Sequence, residues 1–119
     1  MHHHGLSPCW STLTMVLFVA LSSGSVGAVS LTLAQKCEVA KMKAVAKKTA
    51  AELACNEKGV VKGTVDPTCI PKAQGAFTAA IQKAEAKGGC VDAGNGPAIE
   101  SQVDAFVTKA VDCIMAHCG

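Results

Sequence analysis

At 119 residues the chain has room for one domain. Only 3% of its residues are aromatic, none is Arg, and the formal charge is +2. Base stacking and bidentate Arg readout are therefore missing, which excludes nucleic acid as a natural partner.

Residues 1–35 contain no Lys, Arg, Asp or Glu. The apolar run from Leu13 to Leu21 is short for a bilayer span but has the length of a signal-peptide core. Small residues follow, and Val26-Gly27-Ala28 has the character signal peptidase needs. Cleavage is expected after Ala28, with Ala34 as second choice. This divides the chain into a signal peptide, 1–28, and a helical domain, 35–119. A retained anchor over residues 12–34 is the rival, weakened by Ser22-Ser23-Gly24-Ser25. No lipobox precedes Cys37. His2-His3-His4 occupy the usual place of a basic n-region, and no metal function is attached to them.

Losing that segment removes Cys9 and leaves six cysteines: Cys37, Cys55, Cys69, Cys90, Cys113 and Cys118. An even number in a short exported chain implies a disulfide framework in an oxidising compartment, secreted or periplasmic. Size demands the same, because a core this small supplies only about 3–5 kcal/mol.

The first predicted helix runs from Gln35 to Lys58, rich in Ala, Lys and Glu and without internal Gly or Pro. Val39, Met42, Ala46, Thr49 and Leu53 form its apolar stripe. Lys36, Lys43 and Lys47 lie on another face, a candidate contact for anionic lipid or an acidic partner and otherwise a solvated surface. Gly59 reads as the C-cap. A link to Val65 follows, and Asp66-Pro67 reads as N-cap and first position of a second helix, although Pro71 one turn later allows a later start. Its stripe is Ile70, Ala73, Phe77, Ile81 and Ala84, and Gly88-Gly89 ends it. After a turn over Asp92–Pro97, a third helix carries Ile99, Val103, Phe106, Ala110 and Cys113 on one face. No stretch alternates with the period of a strand. The fold class is all-α, a small antiparallel three-helix domain stapled by disulfides.

Cys37 and Cys55 are five helical turns apart, roughly 27 Å, and cannot bond to each other. In an antiparallel hairpin Cys55 meets Cys69 at one pole and Cys37 meets Cys90 at the other. Cys90 is the only other cysteine at its pole, so Cys37–Cys90 is the firm inference. Cys55–Cys69 with Cys113–Cys118 is preferred for the rest, and crosslinks from Cys55 or Cys69 to Cys113 or Cys118 are the alternative. Both Cys37 and Cys55 lie about 150° from the apolar stripe, beside Ala44, Ala51, Lys41 and Lys48. Two contact faces would reconcile this, with the lysines snorkelling outward.

Cys113, His117 and Cys118 supply three soft ligands and a weak metal or redox alternative; oxidation of the cysteines is the ordinary outcome. Asp92, Asn95 and Glu100 have some of the spacing of a calcium loop, but Gly94 stands where an oxygen ligand is needed, and an Asx-type turn accounts for them. Asp104 and Asp112 read as a solvated stripe. With no nucleophile elbow and no paired carboxylates, no catalytic residue is assigned, and no cofactor is implied.

Three stretches carry a resemblance: Lys36-Cys37-Glu38-Val39-Ala40-Lys41-Met42-Lys43-Ala44, Asp66-Pro67-Thr68-Cys69-Ile70-Pro71-Lys72-Ala73, and Lys83-Ala84-Glu85-Ala86-Lys87-Gly88-Gly89-Cys90. Ala98-Ile99-Glu100 and Val103-Asp104-Ala105-Phe106-Val107 extend it. Over residues 36–107 the chain resembles uncharacterised exported bacterial proteins in which cysteines bracket Lys/Ala-rich helices. The resemblance implies a cell-envelope or extracellular setting. The functional expectation is a non-enzymatic helical binding or structural module that touches the membrane only during export, with an acidic envelope component or another protein as possible partner. A small apolar-ligand or lipid carrier is the alternative.

Overall fold

A computed structural model describes residues 30–116. Three helices follow in order: α1 Leu33–Lys62, α2 Cys69–Ala86 and α3 Gly96–Ala116. No strand occurs among the described residues. Helix α2 runs back along α1 and α3 returns beside both, with α1 packing most extensively on α2 and α2 meeting α3 least. The expected signal peptide, His117 and Cys118 lie outside the described residues.

Local chemistry sets the helix ends. Thr32 caps α1: its hydroxyl accepts from Gln35 N, and the Gln35 side chain accepts from Thr32 N. This reciprocal pair satisfies two of the amides left over at a helix start. Helix α1 begins two residues before the expected Gln35 and does not stop at Gly59. It continues to Lys62 and is capped by Gly63 in the left-handed conformation, φ 84°, which a residue without Cβ adopts freely. Gly59 is instead buried inside the helix, where the returning chain lies on it. A Cβ there would stand 2.5 Å from Val65 Cγ2 and 3.1 Å from the Val65 Cα.

Gly59→Ala is therefore expected to lower stability by about 1–3 kcal/mol through overpacking against backbone. By contrast, Gly75 in α2 is exposed with open space around it. Gly75→Ala should raise stability by about 1 kcal/mol through helix propensity. Urea midpoints of the two variants should move in opposite directions.

Helix α2 starts at Cys69 with Thr68 in the capping position, later than the Asp66 cap expected. The Asp66 carboxylate closes the turn before the helix, accepting from Thr68 N at 2.8 Å and from the Thr68 hydroxyl at 2.7 Å. Pro71 falls in the first turn, where its missing N–H costs nothing.

Ala73, Phe77, Ile81 and Ala84 are buried, four of the five residues of the expected α2 stripe. They meet a small core of Ala44, Phe77 and Ile81 with Val45, Ala80 and Ile99 against it. In α3 the inward face is rotated from the expected one. Val103 and Val107 are buried while Phe106 stays 60% exposed, and Cys113 is exposed.

The larger correction concerns α1. Its buried residues are Cys37, Lys41, Ala44, Lys48, Glu52, Cys55 and Gly59. Of the expected stripe, Met42 and Ala46 are exposed and Val39, Thr49 and Leu53 are only half-buried. The two cysteines dictate this orientation. Cys37 bonds Cys90 with Cα atoms 5.3 Å apart, and Cys55 bonds Cys69 at 5.8 Å. Both ends of the α1–α2 hairpin are thus closed, and Lys41, Ala44, Lys48 and Glu52 on the cysteine side of α1 turn inward, charged or not.

Candidate functional site

The two buried lysines do not snorkel. Lys48 is 2% exposed, and its ammonium lies between helices. Nζ stands 3.0 Å from Glu100 Oε1 and 2.5 Å from Asp104 Oδ1, both on α3, and 3.4 Å from Glu52 Oε1 one turn along α1. It also sits 5.2 Å from the centroid of the Phe77 ring on α2, a favourable cation–π placement. One side chain therefore touches charged or aromatic groups on all three helices.

Burial alone would push the Lys48 ammonium down. The carboxylates of Asp104, Glu100 and Glu52 more than offset it and hold the group above its ordinary 10.5. Glu52 is raised as well, which for an acid favours the neutral form. Its own burial, and the nearby Asp104 carboxylate, raise it above its ordinary 4.5 against the pull of Lys48.

Both shifts translate into stability. Native Lys48 holds its proton more tightly than the unfolded chain does. Its contribution is complete below pH 10.5 and is lost as pH rises through the higher native value. Native Glu52 also binds its proton more tightly, so stability falls as pH rises from 4.5 through its raised native value. Glu52→Gln should remove that second slope. Urea midpoints measured from pH 4 to neutrality should decline in the parent through that window and stay flatter in the variant.

At the Cys37–Cys90 pole Lys41 plays a similar part. Nζ pairs with Glu85 Oε1 at 2.9 Å, donates to Asn95 Oδ1 at 2.8 Å and also donates to the Asp92 carbonyl. Glu85 accepts from Gly94 N as well. The hydrogen bond from Lys41, then that from Gly94, holds the Glu85 carboxyl below its ordinary 4.5. The residues with partial calcium-loop spacing thus serve two ammoniums: the Asp92 carbonyl and Asn95 take Lys41, and Glu100 takes Lys48. Among the described residues no cluster of His, Cys, Asp or Glu is arranged to hold a metal ion. Cys113 is itself disulfide-bonded. The Cys113–Cys118 pairing and the Cys113/His117/Cys118 metal alternative both involve residues beyond the described ones. The rival crosslinks from Cys55 or Cys69 are excluded by the bond between those two.

Asp104 is only partly solvated, since its carboxylate also pairs with Lys48; Asp112 is exposed as expected. The signal for this cluster was the seven-residue step Lys41, Lys48, Cys55. A cysteine that must bond turns inward, and residues two and four turns before it turn with it.

Lys36, Lys43 and Lys47 are exposed, as their wheel position predicts. Open clefts flank α3 among the described residues. One of about 550 Å³ is lined by Val45, Thr49, Ile99 and Phe106 among others. Another, about 330 Å³, lies among Leu53, Val60, Val61, Val111, Ile114 and Met115. No described helix is long and apolar enough to cross a membrane. Compared with known proteins, the chain matches no family model, no curated protein and no solved structure.

Proposed function

We propose that the protein is an exported, non-enzymatic helical module that displays a binding surface in the cell envelope or outside the cell. One observation carries this reading: each end of the α1–α2 hairpin is closed by its own disulfide. Such bonds persist in oxidising compartments, and here they brace a domain whose apolar core is small. The charged clusters support the same reading. Buried Lys41 and Lys48 tie α1 to half-buried Glu85 on α2 and to half-buried Glu100 and Asp104 on α3, which suits architecture better than turnover.

Cleavage after Ala28 also fits α1 better than cleavage after Ala34. The latter would remove Thr32 and with it the cap of the helix. Mass spectrometry of the protein recovered outside the cytoplasm tests the reading. The expected mass begins at Val29 and carries no free thiol, whereas six free thiols would overturn it.

The cleft at Leu53, Val60, Val61, Val111, Ile114 and Met115 favours a second reading, a carrier of a small apolar ligand. Saturable binding of a fluorescent fatty acid, weakened by Ile114→Asp, would support it, and absence of binding would dismiss it.

A further inference from the structure

We infer that the face of the α1–α2 hairpin turned away from α3 is a docking surface for an anionic lipid bilayer. The inference rests on the reading of an exported binding module and names the partner of its surface.

The buried residues of α1 orient its wheel, at about 100° per residue. Cys37, Ala44 and Cys55 point at α2, while Lys48 and Glu52 point between α2 and α3. One quarter-turn further from α3 come Lys36, Lys43, Lys47 and Lys58, all exposed. In α2, Ala73, Ala80 and Ala84 lie toward α1, and Ile81 and Glu85 lie toward α3. The side away from α3 bears Lys72, Lys83 and Lys87, again exposed. Because the hairpin is antiparallel, the two sets face the same way, as two rows separated by about one interhelical distance, 8–10 Å.

Between the rows lie Ala40, Ala51, Ala76 and Ala80, and no acid falls on this face. Glu57 lies on the far side of α1, and Glu85 is taken by Lys41. None of the seven lysines has an ion-pair partner among the described residues.

The buried clusters create this imbalance. Lys41 and Lys48 gather four of the nine acids, Glu52, Glu85, Glu100 and Asp104, and keep them beneath or on the α3 side. A chain of nearly balanced charge becomes a body with one basic face. That asymmetry orients it in the field of an anionic surface.

The chemistry of the face favours a planar array of anions over a single ligand. Its ammoniums spread over an area roughly 33 Å long, the rise from Lys36 to Lys58, by two helices wide. No Arg is present to clamp a phosphate bidentately, and no aromatic side chain is present to insert. Attraction summed over separate lysines is how polybasic segments hold anionic bilayers, at roughly fivefold in affinity per lysine.

Co-sedimentation of the oxidised protein with vesicles tests this. It should pellet with phosphatidylglycerol–phosphatidylcholine vesicles at low salt, stay in solution with pure phosphatidylcholine, and be released in 1 M salt, where screening reaches about 3 Å. The triple variant K43Q/K47Q/K83Q should bind roughly 100-fold more weakly, with unchanged helical circular dichroism. Lys109→Gln, on the far side of α3, should bind like the parent. Equal binding to both vesicle types would overturn the proposal. So would loss of vesicle binding combined with tight binding to poly-L-glutamate, which would assign the face to a soluble polyanion. Thiol content and mature N-terminus are measured separately, so the surface and the module reading fail independently.

Discussion

Lys48→Met should destabilise the protein by about 3–5 kcal/mol, the cost of removing one partner from a buried charge cluster. Met keeps most of the aliphatic stem, so the loss is that of the ammonium, its ion pairs and its cation–π contact with Phe77. Without it, Glu52, Glu100 and Asp104 face one another across the α1–α3 interface with no cation among them. Two controls separate charge from packing. Lys47→Met, one residue away and exposed, should stay within about 0.5 kcal/mol of the parent. The Lys48→Met deficit should also shrink as pH falls below the carboxylate range, because neutral acids no longer repel. Urea unfolding of both variants at neutral and acid pH reads all of this. Equal midpoints for the two lysine variants would sink the claim that Lys48 holds α3 in place.

Opening the Cys37–Cys90 bond should be nearly as costly. It closes a separation of 53 residues, and the chain-entropy estimate for such a loop is about 4 kcal/mol. Cys55–Cys69 spans 14, and the same estimate comes to about 3 kcal/mol. A core contribution of only about 3–5 kcal/mol leaves little after either loss. The paired substitution C37A/C90A should therefore lose most helical circular dichroism at 37 °C, and C55A/C69A should lose less. The long bond also positions the chain near Lys41, whose partners Glu85, Asp92 and Asn95 flank Cys90. Loosening it should free the α2–α3 turn, visible as faster amide exchange at Gly94. The opposite ranking of the two pairs would remove the entropic argument.

Much of this fold is written locally. Helix α2 announces itself through Ala73, Phe77, Ile81 and Ala84 at helical spacing, and burial follows that pattern. Its end at Gly88-Gly89 is equally plain, since both adopt positive φ. Sulfur geometry also acts at the level of the chain: a helix cannot bond its own two ends, so Cys37 had to find Cys90, whereas the choice of Cys69 for Cys55 over Cys113 or Cys118 came with the tertiary structure. Helix α1 is different. Its apolar positions, Val39, Met42, Ala46, Thr49 and Leu53, make a respectable stripe and do not become the core. The stripe is alanine, threonine and a few larger residues, a weak demand for burial. Two covalent bonds on the opposite side outweigh it.

The ion-pair and hydrogen-bond partners of Lys41 and Lys48 lie 44 to 56 residues away in sequence, except Glu52. Apart from their place on the cysteine side of α1, nothing at the lysines themselves distinguishes them from exposed Lys43 or Lys47. Only when α2 and α3 bring Glu85, Glu100 and Asp104 alongside does burying an ammonium become tolerable, and only then are those acids withdrawn from the surface. By itself the sequence determined the helical class, the helix order and the Cys37–Cys90 bond, because propensity and disulfide reach act along the chain, and it left Cys55 with more than one partner within reach. The tertiary structure alone decided which lysines are interior struts and which remain on the outer face, because a charge is buried or exposed according to what other helices place beside it.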